Sequence, residues 1–374
     1  MKICYDLRGF NASLQKTGIG WCVFELLNNI SKLIPNQVFA FNNITNPNIV
    51  EIKNLFNMSF SNIKINKSII PDKIYQELWQ REFESFRNFD IFHSPWQNFY
   101  LPKTNTKTLT VMTIYDLTVI IHKNLHHSIN QKTEDIIRKN IKRCDYIIAD
   151  SYNTKNDICQ ILNFSDKKIS VIYPPVRRIF CSNNIKSNLQ IDYPFILFVG
   201  TLEPRKNIKS LIKAFNLIKR DKNFNNYKLI LAGKRGWKSE NIFREIKNSQ
   251  YKNDIIWLKY VSENNLAYLY KKAKVFVFPS IYEGFGMPVM EAMISKCPVI
   301  TSNNSSLKEI ISNSGILLED PFNFELIAQR IKEIIYDSEL RQYVINQGYN
   351  RSKEFLKDYA LQHLDFYKKI INEN

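Results

Sequence analysis

No apolar run in the chain reaches the ~20 residues needed to cross a bilayer, so no segment reads as a membrane-spanning helix. The opening stretch, MKICYDLRGF, has one Lys and a short apolar run that soon meets Asp6 and Arg8. It is expected to be a first β-strand and not a signal peptide. Cysteine forms no CxxC pair and has no histidine cluster near it. Cys4, Cys22, Cys144, Cys159, Cys181 and Cys297 are scattered, as buried reduced thiols of a cytosolic protein would be. There is no internal repeat and no low-complexity tail. Acidic residues are in deficit: 52 Lys+Arg against 35 Asp+Glu leave a net charge of +17. Such a balance favours anionic partners, namely nucleic acid, an anionic membrane or phosphorylated ligands. With no long basic block and no RNA-binding aromatic motif, nucleic acid is not the expected partner. Glycine is scarce as well. The 374 residues hold 10, where average usage of about 7% would give roughly 26.

What remains is ordinary material for a soluble protein with a sizeable core, 44% hydrophobic and 23% charged, and long enough for two domains. Apolar runs alternate with helical patterns almost throughout. KICYDL, QVFAFN, DIFHSP, LTVMTIYDL, DYIIADS and KISVIYPP occupy the first half; PFILFVG, YKLILAG, DIIWLKYV, KVFVFPS, CPVITS and GILLED the second. Continuous Val/Ile/Phe runs predict strands buried on both faces, hence parallel sheets covered by helices. The fold class expected is α/β, with two Rossmann-like, doubly wound domains. The rhythm breaks at CSNNIKSNLQID, 181–192, which is polar, aperiodic and preceded by YPPV, and reads as an interdomain linker. The expected domains are therefore 1–182 and 193–354, followed by a helical stretch at 355–374.

Eight of the glycines (Gly9, Gly18, Gly20, Gly200, Gly233, Gly236, Gly284 and Gly286) follow a predicted strand or lie in the loop to the next helix. Ligands of open α/β sheets bind at those carboxyl ends, where glycine lets a backbone turn tightly or approach a ligand. The densest constellation is VFVFPSIYEGFGMPVMEAM, 275–293. A strand at 275–278 is expected to end at Pro279, with Ser280–Met287 as loop and Pro288 in the first turn of a helix. Glu291, placed on that first turn, could accept two O–H bonds from the vicinal diol of a ribose. Glu283 in the loop could do the same for a sugar. The bland alternative for Glu291 is a solvated residue complementing the helix dipole. In GTLEPRKN, Arg205 and Lys206 follow a strand at 195–199 beside Gly200 and Thr201, and could neutralise a diphosphate. Gly18 and Gly20 in TGIGW precede a helical run at 21–34, a weak sign of an anion site. His93 reads equally as a satisfied structural histidine and as a contact to a second substrate. Asp116 reads as a reaction-centre carboxylate or as a cap on a strand end. His122, His126 and His127 flank a loop without enough partners for a metal site.

The string of Glu283, seven residues and Glu291, with GFGMPVMEAM inside it, resembles the signature of the family 4 retaining glycosyltransferases of GT-B fold. FVGTLEPRKNIKSLIKAF resembles the family's donor-phosphate segment and LAGKRGW the strand end that follows. YDLR, TGIGWCVFELL, FHSP, TIYDL, ADSYNTKNDI and VIYPPV match in order along the first half. The resemblance covers nearly the whole chain. It implies that Glu291 binds the nucleotide ribose and that Glu283 lies at the donor sugar. It also implies that Gly200, Thr201, Gly233, Gly284, Phe285, Gly286 and Met287 line the donor site, and that the Gly18–Gly20 loop approaches donor phosphates and acceptor. Relatives commonly carry His where this chain has Tyr115, ahead of Asp116. Tyr115 can make one hydrogen bond but does not titrate near neutrality. It is expected, with His93, on the acceptor side.

The implied enzyme is a retaining glycosyltransferase that takes a hexose from a nucleotide diphosphate sugar. The nucleotide would sit on the C-terminal domain and the acceptor on the N-terminal one, with the terminal helix crossing back to the first domain. Arg205, Lys206, Glu283 and Asp116 would carry the chemistry. No DxD occurs; sugar transferases of the other large fold commonly hold a divalent ion with such a pair. Metal independence, with no cofactor, is the expectation. The subgroup flavour of YDLR, TGIG, HSP, YPPV and GKRGW resembles bacterial mannosyltransferases of surface-polysaccharide assembly. That favours GDP-mannose as donor and a glycan or lipid-linked oligosaccharide as acceptor. Location would be cytoplasmic, with the net charge aiding peripheral contact with an anionic membrane; the basic helix RKNIKRC at 138–144 is a candidate contact, although a solvated face is the simpler account of it. A GT-B nucleotide-sugar epimerase and a basic nucleic-acid-binding protein are the alternatives. The first would turn over without an acceptor, and the second would bind with steep salt dependence.

Overall fold

The computed structural model describes residues 1–9, 18–41, 89–101, 107–125, 130–182 and 184–374. Every expected site residue is among them; His126, His127 and Asn183 lie outside. The described residues belong to two compact units, 1–123 with 128–175 and 357–374, and 124–127 with 176–356.

The first unit runs β1 (Ile3–Asp6), α1 (Gly18–Leu33), β2 (Val38–Phe41), β3 (Ile91–Ser94), β4 (Leu109–Ile114), α2 (Thr118–Ile121), α3 (Asn130–Ile141), β5 (Tyr146–Ala149), α4 (Tyr152–Leu162) and β6 (Ile169–Val171). Its strands form one sheet in the order β2-β1-β3-β4-β5-β6, every pairing parallel. β1, β3 and β5 are buried at all positions, without the alternation of a half-wet strand. That pattern is what a sheet covered on both faces requires. Local signals set the helix ends. Ser151 Oγ accepts from Thr154 N to start α4, and Asn163 in the left-handed region (φ 53°) stops it. The Asp6 carboxylate, fully buried, takes two bonds from the Arg8 guanidinium (2.9 and 2.7 Å) and one from Ser94 Oγ (3.0 Å). This ties the end of β1 to that of β3.

The second unit runs β7 (Phe195–Val199), α5 (Ile208–Ile218), β8 (Lys228–Ala232), α6 (Glu240–Asn248), β9 (Ile255–Lys259), α7 (Glu263–Lys272), β10 (Val275–Phe278), α8 (Met287–Ile294), β11 (Val299–Ser302), α9 (Ser305–Ile311), β12 (Ile316–Leu318), α10 (Phe324–Tyr336) and α11 (Ser338–Lys353). Its sheet, again parallel, has the order β12-β11-β10-β7-β8-β9. A last helix, α12 (Tyr359–Asn372), is capped by Asp358 and packs on α1 in the first unit. Each of the twelve apolar runs read from the sequence contains one strand.

The boundary falls elsewhere than the polar stretch suggests. The units change over between Pro175 and Val176. The stretch read as a linker is held to the second unit along α7: Ser187 Oγ and Asn188 N reach Asn265 Oδ1 at 3.0 and 3.1 Å, and Ile191 N reaches the Tyr268 hydroxyl at 3.4 Å. Low apolar content made it look like a tether, but its backbone groups bind side chains of one helix. The thiols divide as well. Cys181 is exposed and Cys159 half-buried, while the other four are buried.

Candidate active site

In each sheet the chain reverses the direction in which it adds strands. In the second unit it leaves β7 towards β8 and β9, then returns to build β10, β11 and β12 on the opposite side. The connections after β7 and β10 therefore part to opposite faces, opening a crevice at their carboxyl ends. Both highlighted strings end there. Arg205 and Lys206 lie in a short 3-10 turn, Pro204–Lys206, after β7; Glu283 lies in the loop after β10. Backbone bonds join the loops, with Ile281 N donating to Arg205 O at 2.8 Å.

The side chains form a four-charge cluster. Glu283 Oε2 accepts from Arg205 Nη1 at 2.8 Å, and its Oε1 accepts from Lys206 Nζ and Ser280 Oγ, both at 2.5 Å. Arg205 also forks onto Glu203 Oε1 through Nε (3.1 Å) and Nη2 (2.8 Å), and Nη1 donates to the Tyr282 carbonyl at 2.6 Å. Two cations thus face two carboxylates. Glu203 is 1% exposed, Glu283 7% and Lys206 8%, so these charges are screened little by water. Burial alone would raise the Glu283 carboxyl, but Arg205 and Lys206, with the Lys206 and Ser280 hydrogen bonds, outweigh it and hold the group at about 2. Lys206 is pulled down by burial and by neighbouring Arg205, against the opposing pull of Glu283 and Glu203. Burial raises Glu203 despite Arg205 and Lys206. The expected diphosphate cations are therefore already engaged with carboxylates.

Glu291 departs from its expected position. Met287 and Pro288 open α8, so Glu291 is the fifth helical residue and lies past the first turn. It is not a solvated dipole partner either, being 5% exposed. Its Oε2 accepts from the Tyr270 hydroxyl at 3.1 Å. Its Oε1 takes no hydrogen bond from the described residues. Burial raises the group to about 7, against the Arg177 guanidinium and the Tyr270 bond.

The glycines of this face serve the chain's own backbone. A Cβ on Gly233 (φ 148°) would lie 1.9 Å from the Gly200 carbonyl oxygen, so the loops after β7 and β8 touch where only glycine fits. Gly286 (φ 100°) is the left-handed N-cap of α8, packed on Leu307. Between Gly284 and Met287, Phe285 is buried with its ring 6.1 Å from that of Phe355. Thr201 follows Gly200, whose N donates to Ala232 O at 2.9 Å.

In the first unit the expected residues gather at the ends of the adjacent strands β1, β3 and β4. Gly18 and Gly20 do not precede the helix but form its first turn, and Gly20 is buried. His93 has both ring nitrogens engaged inside the unit, Nδ1 with the Tyr367 hydroxyl (2.7 Å) and Nε2 with Thr113 Oγ1 (2.8 Å). It is fully buried, and burial, then His363, depress its basicity. The structural reading of His93 therefore replaces the acceptor reading: its ring joins strand to helix α12. Tyr115 is buried, and burial lifts its phenol well above the usual range. Its backbone N donates to Gln97 Oε1 at 2.9 Å. Asp116 Oδ1 accepts from Thr118 N (3.0 Å) and Oγ1 (2.5 Å), starting α2. In the basic run of α3 and its end, Arg138 and Lys139 are exposed, while Arg143 is turned inward to donate to Leu101 O at 2.8 Å.

Sequence reasoning missed Glu203, Tyr270 and Arg177. Glu203 carried a signal, an acidic residue fixed between a strand end and Pro204 beside two cations. Tyr270 meets Glu291 from 21 positions away on another helix, and no local spacing announces it. Among the described residues no group of three or more His, Cys, Asp or Glu could hold a metal ion, and no helix is long and apolar enough to cross a membrane.

Comparison with known proteins adds four findings. A family model described as glycosyl transferases group 1 matches residues 182–351. The chain is 30% identical over 273 residues to O-antigen chain mannosyltransferase B of Escherichia coli, covering 71% of this chain and 70% of that protein. It is 29% identical over 231 residues to O-antigen chain mannosyltransferase RfbU of Salmonella typhimurium, covering 61% and 62%. Among solved structures, sucrose-phosphate synthase from Thermosynechococcus elongatus is similar over 100% of both chains, with a TM-score of 0.74 at 18% identity, a likeness of fold.

Proposed function

The chain belongs to the group 1 glycosyl transferases, family 4-type enzymes of GT-B fold, and on that premise we propose that it transfers mannose with retention from GDP-mannose to a glycan or lipid-linked oligosaccharide in surface-polysaccharide assembly. The observation that carries the reading is the Arg205–Lys206–Glu283 cluster at the reversal between β7 and β10. The mannosyltransferase names of the relatives support the sugar. Arg205 and Lys206 bind the diphosphate, Glu291 the ribose diol and Glu283 the sugar. The backbone of Gly200–Thr201 and Gly284–Met287 lies along the donor. Asp116 stands at the reacting sugar through the oxygen that Thr118 does not use, and Tyr115 on the acceptor side.

The transfer follows a front-face course. The bond from the anomeric carbon to the diphosphate oxygen breaks, the acceptor hydroxyl oxygen bonds to that carbon on the same face, and its proton passes to the departing phosphate oxygen. Charge grows on the leaving group as the bond stretches. Cations already fixed by Glu203 and Glu283 stabilise it without reorganisation. Lys206 and Arg205 give the leaving group its counter-charge, which supports a metal-independent reaction. The basic balance, with exposed Arg138 and Lys139, supports a cytoplasmic enzyme resting on an anionic membrane.

The test is turnover of GDP-mannose, UDP-glucose, dTDP-glucose and ADP-glucose with a polyprenyl-diphosphate oligosaccharide, with and without excess chelator, and NMR of the new anomeric centre. An α-mannoside formed from the α-linked donor equally well in chelator is expected. Inverted product, loss of turnover in chelator, or a free epimerised sugar without acceptor would each overturn the corresponding part.

A further inference from the structure

Glu291 is held in an unusual way for a buried carboxylate. Its neighbour Tyr270, on α7, is fully buried. The Tyr270 ring is gripped edge-on by Phe180 and Phe276, with centroids 5.6 and 5.4 Å away. A buried tyrosine needs a partner for its hydroxyl, and here that partner is Glu291 Oε2 at 3.1 Å. The carboxylate can only accept, so the phenol donates. The other oxygen, Oε1, takes no hydrogen bond from the described residues. One oxygen is fixed by the protein and the other is not.

We propose that Tyr270 is a positioning residue for donor binding, pinning Glu291 Oε2 so that Oε1 is presented to the two hydroxyls of the nucleotide ribose. The proposal rests on the reading of Glu291 as the ribose carboxylate. Tyr270 does not touch the donor; it acts through Glu291. Two of its effects are separable. It fixes the rotamer, and its hydrogen bond favours the charged carboxylate, the only form able to accept both ribose hydroxyls.

The groups that set this charge are few. Burial raises the Glu291 carboxyl to about 7, Arg177 and the Tyr270 hydroxyl draw it down, and Glu263 pushes it up. Arg177 is itself tied to Glu263, Nη1 to Oε1 at 3.5 Å. Removing the Tyr270 hydroxyl takes away a bond to the charged form, so the Glu291 pKa rises. Donor affinity, full where Glu291 is ionised, is then lost at a higher pH than in the parent enzyme.

The experiment is calorimetric titration of GDP into the parent protein, Tyr270→Phe and Glu291→Gln between pH 6 and 8.5. Ligand ionisation cancels when variants are compared at one pH. Tyr270→Phe keeps the ring and should fold; thermal melts at each pH verify this. At pH 7 it should bind GDP about tenfold more weakly, with the gap narrowing towards pH 8.5 and kcat at saturating donor nearly unchanged. Glu291→Gln should be weak at every pH, without the acid limb. If Glu291→Gln weakens binding while Tyr270→Phe follows the parent in affinity and pH profile, the positioning role is wrong and the ribose role stands. If Glu291→Gln binds like the parent, the ribose role itself fails. A Tyr270→Phe loss that stays constant across the pH range supports the rotamer role, since the ring and its packing are kept, and overturns the effect on the Glu291 charge.

Discussion

Replacing Glu283 by Gln removes one charge from a buried set of four while keeping the shape. The carboxyl sits at about 2 instead of its ordinary 4.5. That displacement, at about 1.4 kcal/mol per pH unit, corresponds to about 3 kcal/mol of stability above pH 4.5. The figure agrees with the roughly 3–5 kcal/mol typical of breaking a buried ion pair from one side. It is not larger because Lys206 has an escape. Burial and Arg205 already pull its ammonium down, so without Glu283 it can release its proton and remain buried as an amine. The assay is urea unfolding followed by tryptophan fluorescence, Trp237 and Trp257 reporting the second unit. With an m-value of about 2 kcal/mol/M, the midpoint should fall by roughly 1.5 M. The sign with pH follows from the depressed pKa. The gap between parent and variant is complete above pH 4.5 and closes as pH falls towards about 2, where the parent carboxyl protonates too. The same change should weaken the stabilisation by GDP, because a Lys206 that has released its proton offers a diphosphate no counter-charge. A loss below about 1 kcal/mol, the size of an exposed pair, together with an unchanged response to GDP, would refute the view of a closed, charge-balanced cluster.

Two further outcomes follow from the backbone and from the first unit. Gly233→Ala should destabilise by about 2–3 kcal/mol or more, or abolish folding, because its Cβ would meet the Gly200 oxygen at 1.9 Å. Gly200→Ala, whose nearest foreign atom is 3.4 Å away, should show only backbone strain of about 1–2 kcal/mol. Equal midpoints for the two would contradict the close approach. Tyr367→Phe removes a hydroxyl bonded to Tyr5 (3.0 Å) and His93 (2.7 Å) in the buried core. It should destabilise the first unit by about 1–3 kcal/mol in urea unfolding and leave the acceptor KM alone; a raised acceptor KM with unchanged stability would return His93 to the acceptor.

The legible part of the molecule was local and periodic. Strands buried on both faces must be apolar throughout, so KVFVFPS or PFILFVG announced itself, and alternation with helices implied parallel pairing. Position at a strand's end was legible too: Arg205, Lys206 and Glu283 were identified as residues bordering one crevice because each directly follows a buried run. Finer placement was not. Pro288 marked the helix start, yet one residue of offset moved Glu291 from an exposed first turn to a buried second one. The polar stretch 181–192 resembled a tether because sequence records how little apolar surface a segment has, not which side chains meet its backbone.

By itself, then, the sequence determined which segments become strands and which residues stand at their ends, because those choices depend on nearest neighbours and on a repeat of two or 3.6 residues. Partnership was decided only by the tertiary fold. That Glu283 holds Lys206, that both ring nitrogens of His93 are engaged, and that Tyr270 reaches Glu291 are settled by atoms brought within 3 Å or so from distant parts of the chain. Electrostatic and hydrogen-bond energies change steeply over such distances and with burial, and neither quantity is written in the order of residues.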